Sequence, residues 1–163
     1  MTMNYDSLIN GAVAWWKSIS PKEGFDSHKG DRAELRRCHS IEEVMYVPLY
    51  HELLKRTQAD YDDHELLQSL AAIAWVLSWV NGDTGTKFAA QLAQTEPVFK
   101  TIRFRRLLEC SEWNELALQL IRALKFTKQT ANPEDLISSI LKWNLSSSVK
   151  ENWALEYYRN ASE

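Results

Sequence analysis

The sequence is poor in the residues that break or crosslink a chain. Its 163 residues include five glycines, four prolines and two cysteines. Cys38 and Cys110 lie far apart and form no C-x-x-C pair, which argues against a disulfide framework and leaves no paired thiols for a soft metal ion. We therefore expect free, buried thiols in a reducing cytosol, and hence a cytoplasmic protein.

Long hydrophobic runs are also missing. The longest, LLQSLAAIAWVLSWV (66–80), is interrupted by Gln68, Ser69 and Ser78 and is too short to span a membrane. The first residues, MTMNYDSL, contain no basic region followed by an apolar stretch, so we expect no signal peptide. We interpret 66–80 as a central core helix and expect no contact with a membrane.

A net positive charge is absent, since the formal net charge is -3. This value argues against a generic nucleic-acid coat protein. The charges are nevertheless unevenly distributed: residues 97–128 carry seven Lys/Arg against three Glu, and residues 40–66 carry seven Asp/Glu against Lys55 and Arg56. The chain therefore has a basic part and an acidic part.

Helical periodicity dominates the sequence, and strand alternation is nearly absent. We predict an all-α fold, a compact bundle of about eight to nine helices in a single domain (1–163) with possible lobes at 1–82 and 83–163. The segment NGDTG (81–85) would separate the lobes. Eight longer helices are predicted at 5–18, 48–56, 66–80, 86–94, 97–110, 112–128, from 133, and 149–160. A short basic helix from 31 and a short helical segment from 41 would lie between the first two.

Several helix starts carry recognisable capping signals. Asp31 is expected to cap the short basic helix with its carboxylate. Ser40 and Glu43 match a capping box, in which the serine accepts from the third helical amide and the glutamate reaches back. Asn132 followed by Pro133 is a strong start signal for the helix after it.

No metal-binding or catalytic arrangement is visible. The four histidines include no pair at the i, i+4 spacing of a metal-binding helix, and capping of the core helix explains DDHE (62–65). GDTGTK (82–87) lacks the spacing of a phosphate-binding loop, and no G-x-S-x-G is present. We expect no metal, no cofactor and no catalysis; a small helical enzyme is the least favoured alternative.

The seven tryptophans are a heavy load for this length. Trp75 and Trp79 are four apart on the apolar helix and are expected in the core. Trp15 and Trp16 are adjacent, so their side chains diverge by about 100° around a helix. Either one ring stays partly exposed as a base-stacking platform or an interface anchor, or both are buried against the polar loop that follows.

The first of three basic segments is KGDRAELRRC, residues 29–38. Lys29, Arg32 and Arg36 follow an i, i+3, i+7 ladder and would share one side of a helix. Arg37 points elsewhere. A solvated helix face does not require this density of positive charge, so the segment is a candidate anion contact.

Two further segments repeat the combination of basic and apolar residues. In FKTIRFRRLL, Arg103 and Arg106 are three apart, while Ile102 is expected to face inward with the two leucines that end the segment. In LIRALKF, Arg122 and Lys125 are three apart among apolar neighbours. Three predicted helices thus each present a local basic pair.

Arginine forks fit phosphate oxygens, and phosphate contacts position a nucleic acid without reading its sequence. Together the three pairs favour a nucleic-acid surface. Two alternatives stay open. The basic faces can simply be solvated and balanced by the acidic segment, or the chain is a helical protein-interaction adaptor without direct nucleic-acid contact, docking a partner through tryptophans and the acidic segment.

Several segments occur in a characteristic order: AVAWWKSI, GDRAELRR, EEVMYVPLYHELL, TGTKFAAQLAQ, FRRLLEC, LIRALKF, NPEDLISSILKW and a terminal W-A-x-E-Y-Y. In order and spacing they resemble the CasB family, the small helical subunit of the type I-E CRISPR surveillance complex called Cascade. The resemblance extends over nearly the whole chain.

The resemblance implies a non-catalytic, all-α nucleic-acid-binding subunit with two helical lobes. Two copies are expected to stack head to tail, in contact with the large subunit and with the backbone subunits that hold the guide RNA. Their basic surface is expected to steady the guide–target hybrid and the displaced DNA strand. This would stabilise the R-loop in antiviral defence, while a separate helicase-nuclease cuts the DNA.

The resemblance also suggests individual contact residues. Arg36 and Arg37 match the family's R-R, and Arg122 matches the arginine of its L-R-x-L helix. Lys150 stands where the family often has a basic residue before the terminal helix. Lys87 lies one turn before a position at which some relatives have arginine, and is expected to take its place.

Overall fold

The computed structural model describes residues 4–22 and 26–162, and in this part of the chain it confirms the all-α prediction. It contains ten helices, eight of them with at least seven residues. The helices are α1 (Tyr5–Ile19), α2 (Lys29–Arg36), α3 (Ile41–Val44), α4 (Pro48–Thr57), α5 (His64–Leu77), α6 (Phe88–Leu92), α7 (Thr101–Glu109), α8 (Trp113–Phe126), α9 (Pro133–Lys142) and α10 (Ser148–Asn160).

Local capping chemistry fixes several of these starts as predicted. The Ser40 side chain accepts from the Glu43 amide, and the Glu43 carboxylate reaches back to the amide of His39, at 2.6 Å. The Asn132 side chain caps α9. Asp63 accepts from the third helical amide of α5, which confirms capping as the explanation of DDHE.

The predicted cap of the basic helix is wrong. The helix begins at Lys29, two residues earlier than expected, because the Arg32 amide already bonds to the His28 carbonyl. Asp31 consequently lies within the first turn, and its carboxylate contacts Nδ1 of His28 at 3.0 Å. An acid in this position still stabilises the helix start through the helix dipole.

Helix α5 forms the centre of the hydrophobic core, with nearly every residue from Leu66 to Leu77 buried. It packs on α8 and α9, while α1 packs on α4 and α9. The core cluster continues without interruption on both sides of residue 82, so the two halves share it; the division into lobes stays a prediction. No helix in the described ranges has the length and apolarity needed to cross a membrane.

Both members of the tryptophan pair in α1 are buried. Trp15 donates from Nε1 to the carbonyl of Leu49 in α4, at 3.0 Å, and Trp16 donates to the carbonyl of Val80, at 3.1 Å. These bonds tie the pair to α4 and to the residues that follow α5. Neither ring is available for stacking on a nucleic-acid base.

A short parallel pairing joins the ends of two long helices. Strand β1 (Gly82–Asp83) follows α5, strand β2 (Thr130–Ala131) follows α8, and Gly82 is aligned with Thr130. The Asn81 amide extends the pairing by donating to the carbonyl of Gln129, at 2.9 Å. The C-terminal ends of α5 and α8 are therefore held side by side.

Candidate nucleic-acid interface

Helices α7 and α8 form a hairpin, because only three residues separate the end of α7 at Glu109 from the start of α8 at Trp113. At the other end, Phe99 meets Phe126 edge to face, with 5.1 Å between ring centroids. This contact places the start of α7 beside the end of α8. The hairpin thus has a closed end at 109–113 and an open end around Phe126.

Basic side chains gather at the open end. The Arg103 guanidinium lies over the Phe126 ring, 5.3 Å from its centroid. Arg122 is one turn before Phe126 and therefore on the same face of α8, and it is exposed, as is Lys125. Lys128 follows directly after the helix and is also exposed. We refer to the group Arg103, Arg122, Lys125 and Lys128 as the basic end.

Carboxylates gather at the closed end of the same hairpin. Glu112 caps α8 by accepting from two of its first amides. Other acids are drawn in by contacts with α8: the Asn114 amide lies 3.3 Å from Glu42, and the Trp113 Nε1 lies 3.3 Å from Glu65. We call this group the acidic end; its members are Glu42, Glu65, Glu109, Glu112 and Glu115.

The two ends match the dipole of α8. The helix is 14 residues long, or about 21 Å, with acids at its N-terminus and bases at its C-terminus. Both groups therefore stabilise the helix electrostatically. They also divide the surface, so that phosphate is attracted at one end of the hairpin and repelled at the other.

Arg36 in α2 approaches the basic end from a different part of the fold. Its Nε donates to the Ser78 carbonyl at 2.6 Å, its Nη2 donates to Oδ1 of Asn81 at 2.8 Å, and its guanidinium lies 5.0 Å from the centre of the Trp79 ring. Burial, with repulsion from Arg32, lowers the pKa of Arg36 below its ordinary value. The guanidinium nevertheless remains protonated at neutral pH.

Arg32 is buried and bonded within the fold, and not exposed on the basic face of α2 as predicted. It is only 4% exposed, and its guanidinium donates to the Ile19 carbonyl at 2.6 Å and to both oxygens of Asp26. These bonds satisfy the C-terminal end of α1 and hold the pKa of Asp26 below its usual range. A phosphate cannot reach a side chain that is committed in this way.

The other basic residues predicted to bind nucleic acid make no contact with the basic end within the described part of the chain. Lys29 and Arg37 are exposed at the two ends of α2, and Arg106 is exposed on α7. Lys87 and Lys150 lie instead at opposite ends of α9. Lys87 pairs with Asp135 at 3.8 Å, and Lys150 lies 5.5 Å from the centre of the Trp143 ring.

The environment of Lys87 includes a partly desolvated acid. Burial raises the pKa of Asp135, although the Phe88 amide, donating at 2.8 Å, and the Lys87 ammonium act in the opposite direction. The carboxylate joins the start of α6 to the first turn of α9. The Lys87 charge is therefore partly compensated within the fold.

Two features of the interface differ from the sequence-based expectation. Ile102 is 61% exposed, so its predicted inward orientation is wrong; Phe104 and Leu107 form the buried face of α7. Lys128 was not among the predicted contacts; it lies beyond the end of α8 at Phe126, although the predicted helix extended to 128. Its only sequence signal is the excess of basic residues in 97–128.

Comparisons with known proteins give two findings. The model of the family described as CRISPR-associated protein Cse2 matches residues 31–158. A chain in the crystal structure of E. coli Cascade bound to a PAM-containing dsDNA target has a similar fold, with a TM-score of 0.71, covering 92% of this chain and 97% of that chain. At 15% identity the second match shows the fold alone. No curated protein matches the sequence significantly.

Proposed function

Because the chain belongs to the Cse2 (CasB) family, whose members are non-catalytic subunits of type I-E Cascade, we propose that it steadies nucleic acid within that complex by holding phosphate groups at the basic end. The observation that carries this proposal is the convergence of four exposed cations onto one end of the α7–α8 hairpin: Arg103 from α7, Arg122 and Lys125 from α8, and Lys128 from the turn after α8.

The contact is electrostatic and independent of base sequence. Long, exposed arginine and lysine side chains suit phosphate oxygens, and contacts of this kind position a strand without reading it. The alternative of a stacking platform has no support from α1, since Trp15 and Trp16 are buried. We therefore expect similar affinity for strands of different sequence.

The partners follow from the family and from the solved E. coli complex. We propose that the chain contacts the guide RNA and the target and displaced DNA strands, beside the large subunit, the backbone subunits and a second copy of itself. Forming an R-loop exchanges a DNA duplex for a hybrid of similar stability, so modest backbone contacts are sufficient to shift the balance. The chain needs no catalytic group for this role.

The acidic segment 40–66 suggests a second candidate function. The acidic segment 40–66 exposes Tyr46 at 83% and Tyr61 at 59%. Exposed aromatic residues among carboxylates are suited to docking a basic protein partner. In this alternative the chain is an adaptor within the complex, and the arginines have no direct contact with nucleic acid.

A matched pair of charge reversals separates the two functions. Cascade is reconstituted with R122E/K125E, or with K55E/R56E, which makes the same charge change on α4 in the acidic segment. If the proposal is correct, R122E/K125E shortens the lifetime of the R-loop on a labelled target while K55E/R56E has little effect. Equal lifetimes in the two complexes, with both variants incorporated at the wild-type level, would contradict it.

A further inference from the structure

We infer that Arg36 is a positioning residue: with Asn81 it forms a bridge that holds the turn bearing Lys128, and so shapes the basic end from behind rather than binding phosphate itself. The role in nucleic-acid contact rests on the proposed function. The bridge itself consists of contacts within the described fold.

The bridge is a continuous chain of hydrogen bonds. Arg36 donates to Asn81 Oδ1 at 2.8 Å, and Asn81 in turn donates from Nδ2 to Oε1 of Gln129 at 2.6 Å. The Asn81 backbone amide adds a bond to the Gln129 carbonyl. A residue in α2 is thus coupled to the turn after α8, which lies more than ninety positions away in the sequence.

The turn at the end of the bridge has a conformation that requires support. Lys128 and Gln129 have φ values of 56° and 62°, two consecutive left-handed residues without a glycine. Such conformations are unfavourable for side-chain-bearing residues and persist where the surroundings fix them. Asn81 binds Gln129 through both its side chain and its backbone, and Arg36 holds the Asn81 side chain in place.

The remaining contacts of Arg36 also favour a supporting role. Its Nε donates a hydrogen bond to the Ser78 carbonyl, and its guanidinium lies over the Trp79 ring. Two of its nitrogens therefore already donate within the fold, in contrast to the exposed Arg122. A lysine in place of Arg36 would keep the positive charge. Its single ammonium could not reproduce the geometry in which two guanidinium nitrogens donate to the Ser78 carbonyl and to Asn81.

The first test is amide hydrogen exchange on the full chain. We expect R36K and N81A each to accelerate exchange at residues 81 and 129–130 by about tenfold, with the amides of α5 and α8 unaffected. R37K is the matched control, since it makes the same replacement at an exposed neighbour outside the bridge. Unchanged exchange at 129–130, or acceleration throughout the core helices, would overturn the inference.

The second test measures R-loop lifetime in reconstituted Cascade over a salt series. N81A removes no charge but releases the turn that bears Lys128, so we expect a lifetime about three- to tenfold shorter. The salt slope should fall by about 0.7 at most, the contribution of one phosphate contact. R36K should behave like N81A, and the R36K/N81A double variant should lose no more than N81A alone, because both break one bridge. R122E/K125E serves as the variant that removes phosphate contacts directly.

The outcomes distinguish the inference from the function on which it rests. If R122E/K125E shortens the lifetime but N81A does not, the proposed function stands and the positioning role is overturned. If R36K keeps the wild-type lifetime while R36E loses it, Arg36 contacts phosphate directly, which also overturns the inference. If R122E/K125E has no effect, the proposed function fails and the positioning role fails with it.

Discussion

Arg32 and Asp26 form a two-pronged ion pair, with both guanidinium nitrogens within 2.7 Å of the carboxylate. The pair lies at the C-terminal end of α1. The same guanidinium caps this end by donating to the Ile19 carbonyl. A basic residue that appears in the sequence as part of a nucleic-acid surface is therefore part of the internal structure.

Replacing Arg32 should cost stability and leave surface electrostatics nearly unchanged. R32M removes the buried bonds to Ile19 and Asp26, and we expect a loss of about 2 kcal/mol in the free energy of unfolding, measured by urea denaturation. R37M, next to the same helix but exposed, is the control and should change it by less than about 0.5 kcal/mol. Equal effects of the two variants would contradict the assignment.

The Asp26 carboxylate should make stability depend on pH in a defined direction. Its pKa is lowered from the ordinary value of 3.8, chiefly by the hydrogen bonds from Arg32. The stabilisation is therefore fully present above pH 3.8 and is lost as the pH falls through the lowered pKa of the folded state. D26N should be less stable than the wild type at pH 6, and the two unfolding free energies should converge in acid.

A constant difference between wild type and D26N from pH 6 down to the acid range would show that Asp26 contributes by something other than its charge. The comparison is cleanest when both proteins are measured in the same buffer series, because other carboxylates titrate in both and their contribution cancels.

Local chemistry determined which parts of this fold could be predicted from the sequence. Ser40 and Asn132 were identified as caps because their partners lie three residues away. The contacts of Arg32 with Ile19 and of Arg36 with Asn81 could not be predicted, because these partners are distant in the sequence and periodicity carries no information about them. Lys128 is another such case, since a left-handed turn without glycine leaves no compositional mark.

The orientation of helix α7, with Phe104 facing the core and Ile102 facing solvent, can be tested by mutation. Ile102 is 61% exposed and Phe104 is fully buried against Tyr157, with the rings stacked at 4.0 Å. F104A should therefore lower the free energy of unfolding by about 3–5 kcal/mol through loss of packing. I102A should change it by less than about 0.5 kcal/mol, since the side chain has little buried area to lose. A large loss in I102A would mean that Ile102 packs inward after all.

The basic end predicts a definite salt dependence for single-stranded DNA. Four cations, Arg103, Arg122, Lys125 and Lys128, would each neutralise one phosphate and release counterions, which gives a slope of log K against log salt of about −3. R122E/K125E should reduce the slope by at least about 1.4, because two contacts are removed and the reversed charges repel the strand. K55E/R56E should leave the slope unchanged, since α4 contributes nothing to the basic end. Fluorescence anisotropy with oligonucleotides of different sequence measures all three, and a strong preference for one sequence would contradict a contact made through phosphate alone.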